Sequence, residues 1–224
     1  MSENKKKRSN GKKTFAAGGL LLIVFAVWTV LIQSTDVQPI GPNGSYVGFA
    51  GLNQGIHKLT GVHMILYTVT DWLGLVPIAC VLGFAVLGLV QWIKRKRFLA
   101  VDSSIFVLGG FYIVVMAVFV LFEYVVINRR PVLIAGVLEA SYPSSTTMLV
   151  MCVMPTAMMQ LRSRIQNEWL GRIVSISIIA FMVFMVGGRL LSGVHWITDI
   201  IGGALFSVGF VVLYCSFQMK TPET

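Results

Sequence analysis

The stretch GGRLLSGVHWITDIIGG, residues 187–203, sets Arg189, His195 and Asp199 between two apolar runs at about 170–188 and 199–218. Each run is long enough to cross a hydrocarbon core of roughly 30 Å as a helix. The polar stretch therefore reads as the turn between two membrane spans. Working outward, comparable runs lie at about 14–33, 72–93 and 103–127, with a shorter one at about 146–161. The pattern predicts an all-α integral membrane protein, a six-helix transmembrane bundle forming one domain over 14–218. A polar, unstructured basic tail at 1–13 and a short tail at 219–224, both cytoplasmic, flank it. No internal repeat is visible.

Composition agrees. Of 224 residues, 56% are hydrophobic and 12% charged, and the mean hydropathy is +0.80, far from a soluble globular domain. The first run follows basic residues, as a signal peptide would. It is longer than a signal core and lacks a small-x-small cleavage site, so it reads as a retained helix. Cys80, Cys152 and Cys215 fall in different apolar runs, which favours buried packing over a disulfide set.

A net charge of +9 raises the question of nucleic acid, and its placement answers it. Lys5, Lys6, Lys7, Arg8, Lys12 and Lys13 precede the first span, and Lys94, Arg95, Lys96 and Arg97 follow the second. Arg162, Arg164 and Arg172 lie between the fourth and fifth, and Lys220 follows the sixth. Six crossings put all of these on one side, the cytoplasm by the positive-inside rule. The partners this implies are the bilayer and its anionic head groups, not nucleic acid. Lys58, Arg129, Arg130 and Arg189 break the trend on the outer side.

Two outer connections carry further signals. Residues 34–51 are rich in turn formers. The next segment repeats Ile56, Leu59, Val62, Leu66 and Val69 near helical spacing, which predicts a helix lying at the membrane interface. Its His57 and His63 have no charged cluster around them and read as interfacial polar residues. In the second connection, Pro131 and Pro143 oppose continuous helix. Ser144, Ser145, Thr146 and Thr147 then precede an apolar run, as a helix N-cap and as an anion-binding helix start.

His195 and Asp199 are four apart, so on a helix they share a face and the carboxylate can hold the imidazole. Such a histidine serves as base or nucleophile, and arginine grips phosphate oxygens in a forked geometry. Arg189, Arg130 with Arg129 beside it, a serine-rich helix start and a supported histidine on one membrane face suit phosphoryl transfer. The competing account is a structural network in which Arg189 pairs with Asp199.

These residues resemble the type 2 phosphatidic acid phosphatase family, membrane relatives of bacterial acid phosphatases and vanadium haloperoxidases. Its signatures are K-x6-R-P, P-S-G-H and S-R-x5-H-x3-D, in that order. The third appears as Arg189, His195 and Asp199, with Gly188 in place of Ser. The first keeps Arg130 and Pro131 and has Glu123 in place of Lys. The second keeps Pro143 and Ser144, followed by Ser145 and Thr146 in place of Gly and His. The resemblance covers roughly 60–218. It implies a six-helix lipid phosphatase with its site at the outer face, no metal and no cofactor. His195 would be the nucleophile, forming a phosphohistidine, and Asp199 its orienter. Arg130, Arg189 and Ser144, with Ser145 and Thr146 beside it, would hold phosphate.

The departures point three ways. Thr146 cannot protonate a leaving group as histidine does, which favours a lipid diphosphate, such as a polyprenyl diphosphate, over phosphatidic acid or phosphatidylglycerophosphate. Glu123, two helical turns before Arg130, would act as general acid if an apolar setting kept it protonated, or would pair with Arg129, Arg130 or Arg189. Alternatively the protein binds lipid phosphates without turning them over. A simple basic tail and no eukaryotic sorting signal fit a bacterial plasma membrane.

Overall fold

A computed structural model describes residues 2–219, with side chains from residue 9. It is helical, with isolated β-bridges and no named strand among the described residues. The helices are α1 (Ser2–Ser34), α2 (Ala50–Thr60), α3 (Met64–Leu73), α4 (Leu75–Arg95), α5 (Ser103–Tyr124), α6 (Ser145–Arg162), α7 (Glu168–Leu191) and α8 (Ile197–Gln218). Residues 2–13, expected to be an unstructured tail, are instead the first turns of α1.

Five helical stretches are long and apolar enough to cross a membrane: Ser9–Ser34, Met64–Arg95, Ser103–Tyr124, Glu168–Leu191 and Ile197–Gln218. The second begins earlier than the expected 72, because α3 runs into α4 at Gly74. The segment predicted to be one interfacial helix is divided. Gly61 (φ +66°) ends α2, and α3 starts afresh at Met64.

The helix at the sixth expected run, α6, is not among those five. It sits at the centre. One face meets α5 and α8 through Met148, Cys152 and Val153 against Leu108, Phe111, Phe206 and Tyr214. Its other face places Val150 and Met154 against Ile178 and Met185 of α7. Enclosure lets α6 carry polar groups that lipid would penalise, because neighbours satisfy them. Thr156 Oγ1 lies 3.1 Å from the Tyr112 hydroxyl, and Gln160 donates to the Tyr214 hydroxyl at 2.8 Å. Helix α1 packs along α8, with Phe25 against Phe206 (5.4 Å between ring centroids) and Trp28 Nε1 donating to Thr198 O at 3.2 Å.

The first outer connection buttresses the start of α8. Asp36 accepts the Gly51 N–H at 2.7 Å, which holds its carboxyl below the usual range and fixes the entry to α2. Buried Asn53 of α2 then donates to Thr198 Oγ1 and accepts the Thr198 N–H. One of the N–H groups that a helix start leaves without an intrahelical partner is thereby satisfied.

The turn from α7 to α8 is held by a close backbone approach. Ser192 N donates to Gly188 O, and Gly193 follows with φ +67°, the left-handed conformation that commonly ends a helix. His63 N donates to Ser192 O at 3.0 Å, and His57 Nε2 lies 3.1 Å from Gly193 O. The two histidines of the α2–α3 segment thus bind the turn that precedes His195. A Cβ on residue 193 would fall 1.9 Å from Gly61 O. Gly193→Ala should therefore destabilise the fold by about 2 kcal/mol, from the left-handed backbone and the displaced Gly61. Thermal unfolding in detergent checks this, and an unchanged midpoint would count against the tight joint.

Candidate active site

The connection from α5 to α6, left irregular by its prolines, has order of its own. Residues 128–141 double back: Arg130 N donates to Glu139 O at 3.1 Å, and Ser141 N to Asn128 O at 2.9 Å. A tight turn closes the far end, where Ala135 and Gly136 both have positive φ and Ile134 pairs with Val137. Asn128, Arg130 and Ser141 are thereby carried together to the start of α8.

Asp199 lies in the first turn of α8 and is fully buried. Its Oδ2 accepts from Trp196 N at 2.9 Å and from Ser141 Oγ at 2.5 Å, and its Oδ1 accepts from Asn128 Nδ2 at 3.2 Å. His195 lies in the bend two residues before α8, not on the helix that the four-residue spacing assumed, but its ring still faces Asp199. Its Nδ1 nevertheless stands 3.9 Å from Asp199 Oδ2, too far for a direct hydrogen bond. Ser141 fills the gap, with its Oγ at 3.0 Å and its carbonyl oxygen at 3.2 Å from Nδ1.

This arrangement assigns the tautomer. Ser141 has one hydroxyl proton, and the acceptor-only carboxylate takes it. Toward Nδ1, both Ser141 oxygens can then only accept. Nδ1 therefore carries the ring proton and Nε2 keeps its lone pair. Burial first, and then the charges of Arg130 and Arg189, hold the imidazole well below its ordinary value of 6.5. At neutral pH the ring is uncharged and its free nitrogen is nucleophilic.

The two arginines are almost wholly enclosed, Arg189 at 2% and Arg130 at 8% exposure. Arg189 does not pair with Asp199. Its Nη2 donates to Asp71 Oδ1 at 3.0 Å and to Thr146 Oγ1. Arg130 Nε lies 3.1 Å from Glu139 Oε2, a charge pair in which the N–H is not aimed for a hydrogen bond. Among the described residues, five buried polar atoms of these side chains have no hydrogen-bond partner: Nε and Nη1 of Arg130, Nε and Nη1 of Arg189, and Nε2 of His195. Buried polar atoms are nearly always satisfied, so this cluster is a marked exception.

Of the other residues singled out in the sequence, Ser145 opens α6 and lines a small pocket together with His195, Tyr142 and Glu123. Ser144 takes the cap position, but its fully buried Oγ accepts from Thr147. Thr146 is engaged by Arg189. Glu123 reaches the pocket from the exposed end of α5 and makes no ion pair within 4 Å among the described residues. The apolar enclosure expected for it is not there, nor is the pairing with an arginine. Asn128, Ser141, Glu139 and Asp71 were not foreseen. Asn128 falls at an unspecified position within the first signature, and Ser141, Glu139 and Asp71 lie outside all three, so no fixed residue type marked any of them.

The chain has known relatives. Residues 126–222 match the PAP2 superfamily. A solved structure of a transmembrane PAP2 type phosphatidylglycerolphosphate phosphatase from Bacillus subtilis superposes with a TM-score of 0.59 at 20% identity. It covers 92% of this chain and 98% of that one. At that identity the likeness is one of fold. No curated protein matches the chain.

The buried neutral His195 has a consequence for stability. Its folded pKa is depressed, so below pH 6.5 the unfolded chain takes up a proton that the folded ring refuses, and stability falls as pH falls. The unfolding midpoint should drop between about pH 7.5 and about pH 5.5, and drop less in His195→Gln. Equal slopes in the two proteins would contradict a neutral buried ring.

Proposed function

Through residues 126–222 the chain belongs to the PAP2 superfamily, and from that premise we propose that it is a multi-pass membrane phosphatase that removes a phosphate group from a lipid by way of a phosphohistidine. The observation that carries this is the set of five unpartnered polar atoms on Arg130, Arg189 and His195. Four are guanidinium N–H donors, suited to the oxygens of a phosphoryl group. The fifth is a bare nucleophilic nitrogen.

In this reading His195 Nε2 attacks phosphorus, and the bond from phosphorus to the lipid-side oxygen breaks. The phosphoryl group then rests on Nε2, and water displaces it as inorganic phosphate. As Nε2 takes the phosphoryl group the ring gains positive charge. Asp199, acting through the Ser141 hydroxyl, stabilises that charge without a proton changing place. Arg130 and Arg189 hold the phosphoryl oxygens, and Ser145 lines the small pocket that His195 also lines. Ser144 and Thr146 act from behind, Thr146 by orienting Arg189.

The substrate class follows from the leaving group. A monophosphate ester expels an alkoxide, which needs a proton, whereas a diphosphate expels a phosphate ester, which needs far less help. Thr146 supplies no acid, so a lipid diphosphate of the polyprenyl kind is favoured. Phosphatidic acid and phosphatidylglycerophosphate are the monophosphate alternatives. Glu123 lines the pocket with His195, but its exposed position lacks the apolar enclosure that the acid role requires, so the monophosphates are left without an acid.

We place α6 as a sixth span within a 14–218 domain, with the helical residues 2–13 extending α1 on the cytoplasmic side; the short tail expected at 219–224 lies, beyond Met219, outside the described residues. Lys94, Arg95, Lys96, Arg97, Arg162, Arg164 and Arg172 gather at the ends away from His195. By the positive-inside rule this orientation has the site facing outward, and the simple basic tail fits a bacterial plasma membrane.

Phosphate release by detergent-purified protein, from a polyprenyl diphosphate and from a phosphatidic acid, tests this. The diphosphate should turn over faster, and His195→Ala should lower release about a thousandfold. Glu123→Gln should leave turnover of both substrates within about threefold. Binding of both lipids with no release from either would make the protein a noncatalytic lipid-phosphate binder.

A further inference from the structure

None of the three signatures reaches α3, yet α3 touches both phosphate-site arginines. Tyr67 is the point of contact. Its ring centroid lies 5.0 Å from the Arg189 guanidinium carbon and 5.9 Å from that of Arg130. Both distances fall within the range where a cation is drawn to an aromatic face. Asp71, one turn further along the same helix face, is the residue that pairs with Arg189. The half-buried ring is thus shared by two like charges that enter from different parts of the chain, Arg130 from the doubled-back loop and Arg189 from the end of α7.

A departure noted in the sequence permits this approach. Where the third signature has Ser, this chain has Gly188. A Cβ there would meet Thr70 Cγ2 at 2.7 Å, too close without a shift of α3. Thr70 is itself fully buried against α7. Without a side chain at 188, α3 settles close enough to bring Tyr67 and Asp71 onto the arginines.

We propose that Tyr67 is a positioning residue of the phosphate site, its ring bracing the Arg130 and Arg189 guanidiniums so that their unpartnered N–H groups converge on one phosphoryl group. The inference rests on the phosphate-binding role proposed above for those arginines. Two long, flexible side chains of like charge would otherwise spread apart, and each would have to be ordered when phosphate binds. A shared aromatic face orders them beforehand. The interaction belongs to the ring and not to the hydroxyl, so Tyr67→Phe should preserve it and Tyr67→Leu should not.

The test measures how inorganic phosphate raises the thermal unfolding midpoint of the full chain in detergent, since a ligand that binds the folded state stabilises it in proportion to its affinity. Wild type and Tyr67→Phe should respond alike. Tyr67→Leu should need about tenfold more phosphate for the same rise, the loss expected for two cation–π contacts. Arg130→Ala serves as the weakened control. The midpoint without phosphate reports folding in the same experiment. If Tyr67→Leu loses its cooperative transition, Tyr67→Met, closer in volume and without a ring, takes its place. A ring-less variant that binds phosphate as wild type does overturns the proposal, as does a wild type that phosphate does not stabilise. A wild type that binds phosphate but releases none from lipids sinks the proposed activity and leaves the role of Tyr67 standing.

Discussion

The site depends on satisfying one buried carboxylate. Asp199 sits fully enclosed at the start of α8, where an unpaired charge would cost several kcal/mol. Three donors meet that demand, each from a different place: Trp196 N from the α7–α8 turn, Ser141 from the near end of the doubled-back loop, and Asn128 from its beginning. The loop is thereby clamped at both ends. Once it is clamped, Arg130 and the Ser141 oxygens beside His195 have no freedom to wander. The same bonds that make the carboxylate tolerable also fix the tautomer of the imidazole, so stability and chemistry rest on one set of contacts.

The two arginines show the opposite economy. Each is nearly buried, and each has a carboxylate partner that is much more open to water, Asp71 at 56% and Glu139 at 41% side-chain exposure. Pairs of that kind are screened and individually weak. They neutralise the buried charge without using up its hydrogen-bonding capacity, as the unpartnered Nε and Nη1 atoms of both residues attest. A fully hydrogen-bonded buried pair would have been a structural device; these are left able to take another anion.

Much of the fold was legible because an apolar run of span length has little to become except a membrane helix. Arg189, His195 and Asp199 stood out because charge inside such runs is expensive. What escaped was whatever depended on chain pairs distant in sequence. Four-residue spacing drew His195 and Asp199 together as if on one helix, but it could not show that His195 precedes the helix or that Ser141 stands between them. The prolines at 131 and 143 excluded helix, yet the pairing of Arg130 with Glu139 that organises the loop is a backbone contact with no periodic signature. The apolar spacing from Ile56 to Val69 was real. Gly61 broke the helix because that segment had to fold against Gly193, a contact 132 residues further on. Asp71 read as the edge of a span because its partner, Arg189, lies 118 residues away.

The central position of α6 bears on how the protein is made. The other long helices are apolar enough to leave a translocation channel sideways into lipid on their own account. With Thr147, Thr156 and Gln160 facing inward, α6 is a poor candidate for lone entry. Its polar groups find partners on α5 and α8, Tyr112 and Tyr214 among them, and α8 is synthesised after it. Residence of α6 among its neighbours is thus an outcome of assembly and not of partitioning. The helix that opens with Ser145 and holds Arg189 through Thr146 reaches its final place only once α8 has followed it into the membrane, so the buried cluster of Arg189, His195 and Asp199 is assembled late, after the helices that carry it.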